Sequence, residues 1–231
     1  MRGGVTRNAR FCDFFEGWMK PKAGQSIYRG MNRRTALLAP LALILFASPA
    51  LAEKIALSTL SAYLNGLITA EADFTQINSD GTISTGHLYI KRPGRMRFEY
   101  APPDKSLVLA GGQQVAVFDD KSNQPPNQYP LSRTPLSLIL ADKVNLARAN
   151  MVVGHQEVEN TTRVKAQDPE HPDYGSIELV FTNAPVELRQ WVVTDDSGNQ
   201  TTVILGEMKK GKDFPASLFN ITVETEKRAR R

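Results

Sequence analysis

Residues 95–100 read Arg-Met-Arg-Phe-Glu-Tyr, a strict alternation of charged and apolar side chains. With a side-chain period of two, Met96, Phe98 and Tyr100 fall on one face of a strand, and Arg95, Arg97 and Glu99 on the other. Pro93-Gly94 precedes the segment and Pro102-Pro103 follows it, and this unit of short run plus turn recurs along the chain. Residues 70–77 put Ala70, Ala72 and Phe74 on one face ahead of Asp80-Gly81, and Leu88 and Ile90 follow Gly86. Residues 106–110 and 114–118 flank Gly111-Gly112, which reads as a two-glycine hairpin turn. Further strands are expected at 151–159, 162–167, 176–182, 187–194 and 200–208, with 221–224 as a final one. Connections this short join antiparallel strands, because a parallel pair needs a crossover of a dozen or more residues.

Two segments break the pattern. In residues 54–67, Leu57, Leu60, Leu64 and Leu67 recur at spacings of three and four, the stripe of a helix laid against a core. Thr134-Pro135 supplies an N-cap and a first-turn proline for a second helix. Its residues Leu136, Leu138, Ile139 and Leu140 make it apolar almost all round, so something must cover it. Serial antiparallel strands with one initial and one central helix suggest a strongly curved sheet or partial barrel, with the helices on its concave side.

The N-terminal part follows other rules. Residues 31–34, Met-Asn-Arg-Arg, are a positive leader; residues 35–46 are apolar; Ala50-Leu51-Ala52 fits a small-x-small cleavage site. The expectation is a secretory signal over 31–52 with Glu53 as the first mature residue. The apolar run is shorter than the roughly 20 residues a bilayer span requires. Residues 1–30 fit no part of such a signal and read as a mis-assigned start or a disordered extension. A single domain is expected over 53–231. Residues 1–52 carry 8 basic and 2 acidic residues, and residues 53–231 carry 20 and 22. The basicity therefore belongs to the leader, and the electrostatic case for a nucleic-acid partner disappears. Cys12 is the only cysteine, so the expected mature chain has no disulfide, thiol nucleophile or thiolate metal site. The periplasm is the expected compartment.

Catalytic patterns are sparse. His87, His155 and His171 lie in different segments without metal-ligand spacing, and read as surface or strand-edge residues. Asp119-Asp120 and Asp195-Asp196 sit at turns, where aspartate is favoured for local hydrogen bonding. No serine lies in a G-x-S-x-G elbow. Neither an enzyme nor a cofactor is expected.

Residues 91–103, Lys-Arg-Pro-Gly-Arg-Met-Arg-Phe-Glu-Tyr-Ala-Pro-Pro, resemble the signature of the outer-membrane lipoprotein carrier family, LolA. The wider order agrees: Phe74-Thr75-Gln76, then Gly86 leading into Lys91-Arg92-Pro93, then Pro103, Leu107, Val108 and Gly112, Thr134-Pro135-Leu136, residues 195–202, and Phe219. The resemblance implies a mainly β protein with helices (α+β), an incomplete, strongly curved antiparallel β-barrel with a helical lid over an apolar cavity. It implies a carrier of acylated lipoproteins, taken from an inner-membrane lipoprotein-releasing ABC transporter to an outer-membrane acceptor. A monomer is the expected working unit. The family's latch arginine falls on Arg92, with lid carbonyls as its partners; Met96 stands where many members have an aromatic. Phe98, Tyr100, Leu136, Leu138, Ile139 and Leu140 complete the expected lipid- or lid-contacting set. For the helix at 136–140, lid and core readings stand level. Such a carrier answers a physical need: at about 0.8 kcal/mol per methylene, three acyl chains leave a membrane only at a cost of tens of kcal/mol. A generic periplasmic lipid binder on the same fold, or a hydrolase whose site is assembled by folding, are the competing readings.

Overall fold

The computed structural model describes residues 53–120, 124–147 and 150–230; the readings of residues 1–52 lie outside the described residues. Helix α1 (Leu57–Gly66) comes first. Strands β1 (Thr69–Ile77), β2 (Ile83–Lys91), β3 (Arg95–Tyr100), β4 (Leu107–Gly111), β5 (Gln114–Phe118) and β6 (Asn127–Pro130) follow. Helix α2 (Leu136–Leu140) leads to β7 (Val152–Val158), β8 (Thr161–Gln167), β9 (Ser176–Asn183), β10 (Val186–Thr194), β11 (Gln200–Leu205) and the short β12 (Lys209–Lys210). Helix α3 (Ile221–Ala229) is the last element.

The strands form one antiparallel sheet in the order β6-β5-β4-β3-β2-β1-β11-β10-β9-β8-β7, with β12 beside β1. The first strand thus joins the last long one, Phe74 facing Leu205 and Ile77 facing Thr202. The sheet is not closed: β6 and β7 are its two edges, and the segment between them carries α2.

Alternation decides which face is which. Ala70, Ala72 and Phe74 of β1, Leu88 and Ile90 of β2, and Met96 and Phe98 of β3 are all buried, as a period of two requires. They meet the α1 stripe, where Leu60, Leu64 and Leu67 are buried, together with Leu179, Phe181, Leu188 and Trp191 from the other half of the sheet. The aromatic rings meet edge to face: Phe74 with Phe98 at 5.3 Å and Phe98 with Trp191 at 6.3 Å between centroids. The buried side chains of both halves of the sheet thus pack on one another in one inner cluster.

Strands β4 and β5 are apolar on both faces, so both must be covered. Ala110 and Val115 belong to the inner cluster. Leu107, Leu109, Ala116 and Phe118 form a second cluster on the outer face with Phe214 and Phe219 from the C-terminal segment. That segment lies so close that a Cβ on Gly111 would fall 2.1 Å from the Phe219 carbonyl oxygen.

Three sequence readings change. Residues 221–224 start α3 rather than a strand: Asn220 caps it, accepting the Val223 N–H at 3.1 Å. Glu224 in its first turn and Lys227 and Arg228 in its last complement the helix dipole, outweighing the modest cost of Ile221 and Val223. The β4–β5 turn is Gly112-Gln113, both at positive φ, with Gly111 paired inside the strand. Thr134 does not cap α2; its hydroxyl donates to the Leu131 carbonyl at 2.8 Å. Arg97, on the face opposite Met96 and Phe98, is also buried.

Candidate functional site

Arg92 follows directly after β2, where α1, α2 and the β2–β3 turn meet. It is 8% exposed. Its guanidinium donates to the Leu64 carbonyl of α1 and to the Ala141 carbonyl just after α2, with Asn65 Oδ1 and the Asp142 carbonyl each at 3.4 Å. Burial lowers its pKa, and the charge of Asp142 acts in the opposite sense. A planar fork of five donors suits this task, since it reaches carbonyls on two elements at once. Beside it, the Gly94 N–H donates to the Leu140 carbonyl at 2.8 Å. The turn of residues 92–94 therefore holds the end of α2 through main-chain oxygens.

The segment after α2 has separate partners on α1. Asn65 pairs with Val144 in both directions, donating from Nδ2 to its carbonyl and accepting its N–H at Oδ1, each at 2.8 Å. Ser61 Oγ accepts the Leu146 N–H at 2.9 Å. Tyr63 holds the same helix to the sheet: its hydroxyl accepts the Leu188 N–H at 3.1 Å, next to the bulge where β10 shifts register against β9. None of these three was singled out in the sequence. Their partners lie 79 to 125 residues away, beyond the reach of any local pattern.

The remaining expected residues divide. Met96 is 1% exposed and Phe98 is buried, so both pack the interior rather than open on a mouth. Tyr100 packs at the edge of that interior against Phe74, donates to Gln76 Oε1 at 2.8 Å, and burial pushes its pKa up to about 12. On α2, Ile139 and Leu140 are buried and Leu136 and Leu138 half-buried. The helix lies in the chain between the two edge strands and presses its apolar residues onto the interior cluster. Cover and core are one surface in this state.

The outer face offers a different chemistry. An open groove of about 670 Å³ crosses β1, β2, β3 and β11, lined among others by Asp73, Thr75, Thr85, His87, Glu99 and Ile204. His87 Nδ1 lies 2.8 Å from Asp73 and Nε2 lies 3.9 Å from Glu71, with the Tyr89 ring alongside. Among the described residues these are the partners of His87, so no hydroxyl, thiol or amine nucleophile is within hydrogen-bond reach of it. His155 binds the Ile55 carbonyl at 2.9 Å, and His171 stacks on Tyr174. Among the described residues, no group of three or more His, Cys, Asp or Glu side chains could hold a metal ion.

Residues 65–222 match the sequence profile of the family described as outer membrane lipoprotein carrier protein LolA. A protein of Chromohalobacter salexigens named outer-membrane lipoprotein carrier protein is 26% identical over 174 residues, covering 71% of this chain and 81% of its own. One of the same name from Cupriavidus pinatubonensis is 26% identical over 209 residues, covering 84% of this chain and 96% of its own. The matched span runs from the end of α1, through the Arg92 turn and the α2 segment, into α3. The chain belongs to the LolA family.

Proposed function

We propose that residues 53–231 are the mature form of a periplasmic carrier that shields the acyl chains of lipoproteins and moves them from the inner to the outer membrane. One observation carries this reading. A short apolar segment packs on the interior of an unclosed sheet, and that segment is gripped from the β2–β3 turn through main-chain carbonyls. A grip of this kind opens without dismantling the sheet. Leu136, Leu138, Ile139 and Leu140 then leave the interior, and an acyl chain takes their place. Arg92 is the latch in this scheme: charge-assisted bonds of about 1.5–3 kcal/mol each favour the closed form without locking it. Met96 and Phe98 line the space that cargo enters, with Tyr100 at its edge. An inner-membrane ABC transporter would supply the cargo and an outer-membrane acceptor would receive it. No step of carriage requires covalent chemistry.

The test is to purify the protein from the periplasm and identify by mass spectrometry what travels with it. Triacylated lipoprotein is the expected cargo. Phospholipid or free fatty acid alone would replace the reading with that of a generic lipid binder. No lipid, together with no uptake of a fluorescent fatty acid, would overturn both.

A further inference from the structure

The segment joining β6 to β7 is held at three places by three different parts of the molecule. At its start, the Leu131 N–H donates to the Gln113 carbonyl of the β4–β5 turn at 2.9 Å, and Leu131 is buried. In its middle, Arg92 and Gly94 hold the carbonyls of Leu140, Ala141 and Asp142. At its far end, Ser61 and Asn65 of α1 hold Val144 and Leu146, whose side chains are both buried in the inner cluster. Between the middle and far anchors, Asp142 and Lys143 are exposed.

The far anchor has a built geometry. Ser61 and Asn65 are four apart on α1, a rise of about 6 Å along one helix face. Val144 and Leu146 are two apart in the chain, a reach of at most about 6.7 Å. The helix thus offers its two polar side chains at nearly the repeat of the passing backbone, and Asn65 imitates a paired strand by giving and accepting one bond each. Asn65 Oδ1 also accepts from Arg92 at 3.4 Å, so the two anchors share that one acceptor, while the closest Arg92 bonds go to the Leu64 and Ala141 carbonyls.

We infer that Ser61 and Asn65 fix the far end of the lid, so that α2 swings about a hinge at Lys143 while residues 144–146 stay attached to α1. This rests on the carrier reading for its purpose but not for its test. In the carrier, the moving part is then residues 132–143, and cargo enters under α2 rather than beneath the whole connection. Asn65 and Ser61 act as positioning residues: they return the flap to one register after each release.

Amide hydrogen exchange of the empty protein, resolved by residue, reads the two ends separately. The Gly94 amide reports the flap contact; the Val144 and Leu146 amides report the far anchor. Arg92→Leu releases the flap without cargo. The expected result is Gly94 exchange at least tenfold faster, with Val144 and Leu146 changed less than twofold. Asn65→Ala is expected to speed Val144 exchange about fivefold or more, the loss of bonds worth roughly 1 kcal/mol each. Alanine is the better helix former, so a merely structural role for Asn65 in α1 predicts the opposite direction. Asn65→Asp, which keeps the acceptor for the Val144 N–H, is expected to restore most of that protection. The inference is overturned if Val144 and Leu146 accelerate in step with Gly94 in Arg92→Leu, if Gly94 does not respond to that change, or if Asn65→Ala leaves Val144 exchange unaltered. A separate arm adds a synthetic tripalmitoyl lipopeptide. Its failure to bind would count against the carrier reading and would leave the empty-protein result to decide the hinge.

Discussion

The outer face of β3 carries an ion pair whose removal has a computable consequence. Arg97 is 6% exposed and Glu224 is 7% exposed, and they meet at 3.2 Å between β3 and α3. Arg97 also donates to Glu99 at 2.6 Å and to the Leu218 carbonyl at 3.1 Å, and Glu224 accepts from Arg228 at 3.1 Å. Removing either charge takes one partner from the other, which keeps Glu99 and the Leu218 carbonyl in the case of Arg97 and Arg228 in the case of Glu224. Glu224→Leu is therefore expected to lower unfolding stability by about 1.5–3 kcal/mol, the worth of a hydrogen bond between charged groups, because Arg97 keeps its other partners. Joint replacement, Arg97→Met with Glu224→Leu, is expected to recover most of that loss, because apolar residues of similar volume replace a buried pair at little net cost. Urea unfolding of the four members of the cycle gives the coupling directly. The pair also predicts a pH response. Burial pushes the Glu224 carboxyl up, but the charge of Arg97 and hydrogen bonds from Arg228 and Arg97 outweigh it and hold the pKa below the usual value. A group whose folded pKa is depressed contributes stability above its unfolded pKa and loses it as pH falls through the folded value. The wild type should thus lose stability below about pH 4.5 more steeply than the double variant, since that is near the ordinary glutamate value. A single variant within 1 kcal/mol of wild type, or identical acid limbs for wild type and double variant, would refute the reasoning.

Other consequences follow from the same contacts. Arg92→Leu should leave the thermal midpoint nearly unchanged, since it removes a buried charge along with its bonds, while impairing lipoprotein delivery in a transfer assay; full delivery would remove the latch role. Gly111→Ala drives a Cβ into the Phe219 carbonyl and should lift the C-terminal segment off β4 and β5, seen as faster exchange of α3 amides with the exchange of β9 and β10 amides unaffected. Deleting residues 1–30 should alter neither export nor carriage, and failed export of that truncation would show the extension to be functional.

The sequence exposed the sheet because its alternation is local. Met96, Phe98, Ala70 and Phe74 declare their face within three or four residues, and the α1 leucines do so within two turns. What stayed hidden was set by distant partners. Residues 221–224 include Ile, Thr and Val, which favour strands, and the Asn220 cap, the charges placed at the two ends of the helix and the buried partner Arg97 tip them into a helix. Arg97 itself looks solvated in an alternating strand, because nothing near it shows that a segment more than a hundred residues later covers that face. Strand β6 lies among prolines at an exposed edge, where no apolar pattern is needed. Only the resemblance to a family motif points to Arg92 in the sequence. Ser61 and Asn65 had no such signal, since a serine and an asparagine on a helix are ordinary surface residues until the passing backbone is known.

A packed interior and a carrier's task fit together once both states are counted. In the closed state Ile139 and Leu140 are fully buried and Leu136 and Leu138 partly so, worth about 5–9 kcal/mol at roughly 1.5–3 kcal/mol per fully buried side chain. One palmitoyl chain of about 15 methylenes brings about 12 kcal/mol on the same scale. Loading one chain is thus an exchange between comparable quantities rather than the filling of an empty hole, and release stays within reach. The test is Leu140→Ala, which weakens the closed state by about 2–5 kcal/mol, as for other buried leucines. If α2 competes with cargo, this variant should bind a fluorescent acyl probe more tightly, by tenfold or more, and release it more slowly. If affinity instead falls, Leu140 contacts the cargo in the loaded state, and the exchange picture is wrong.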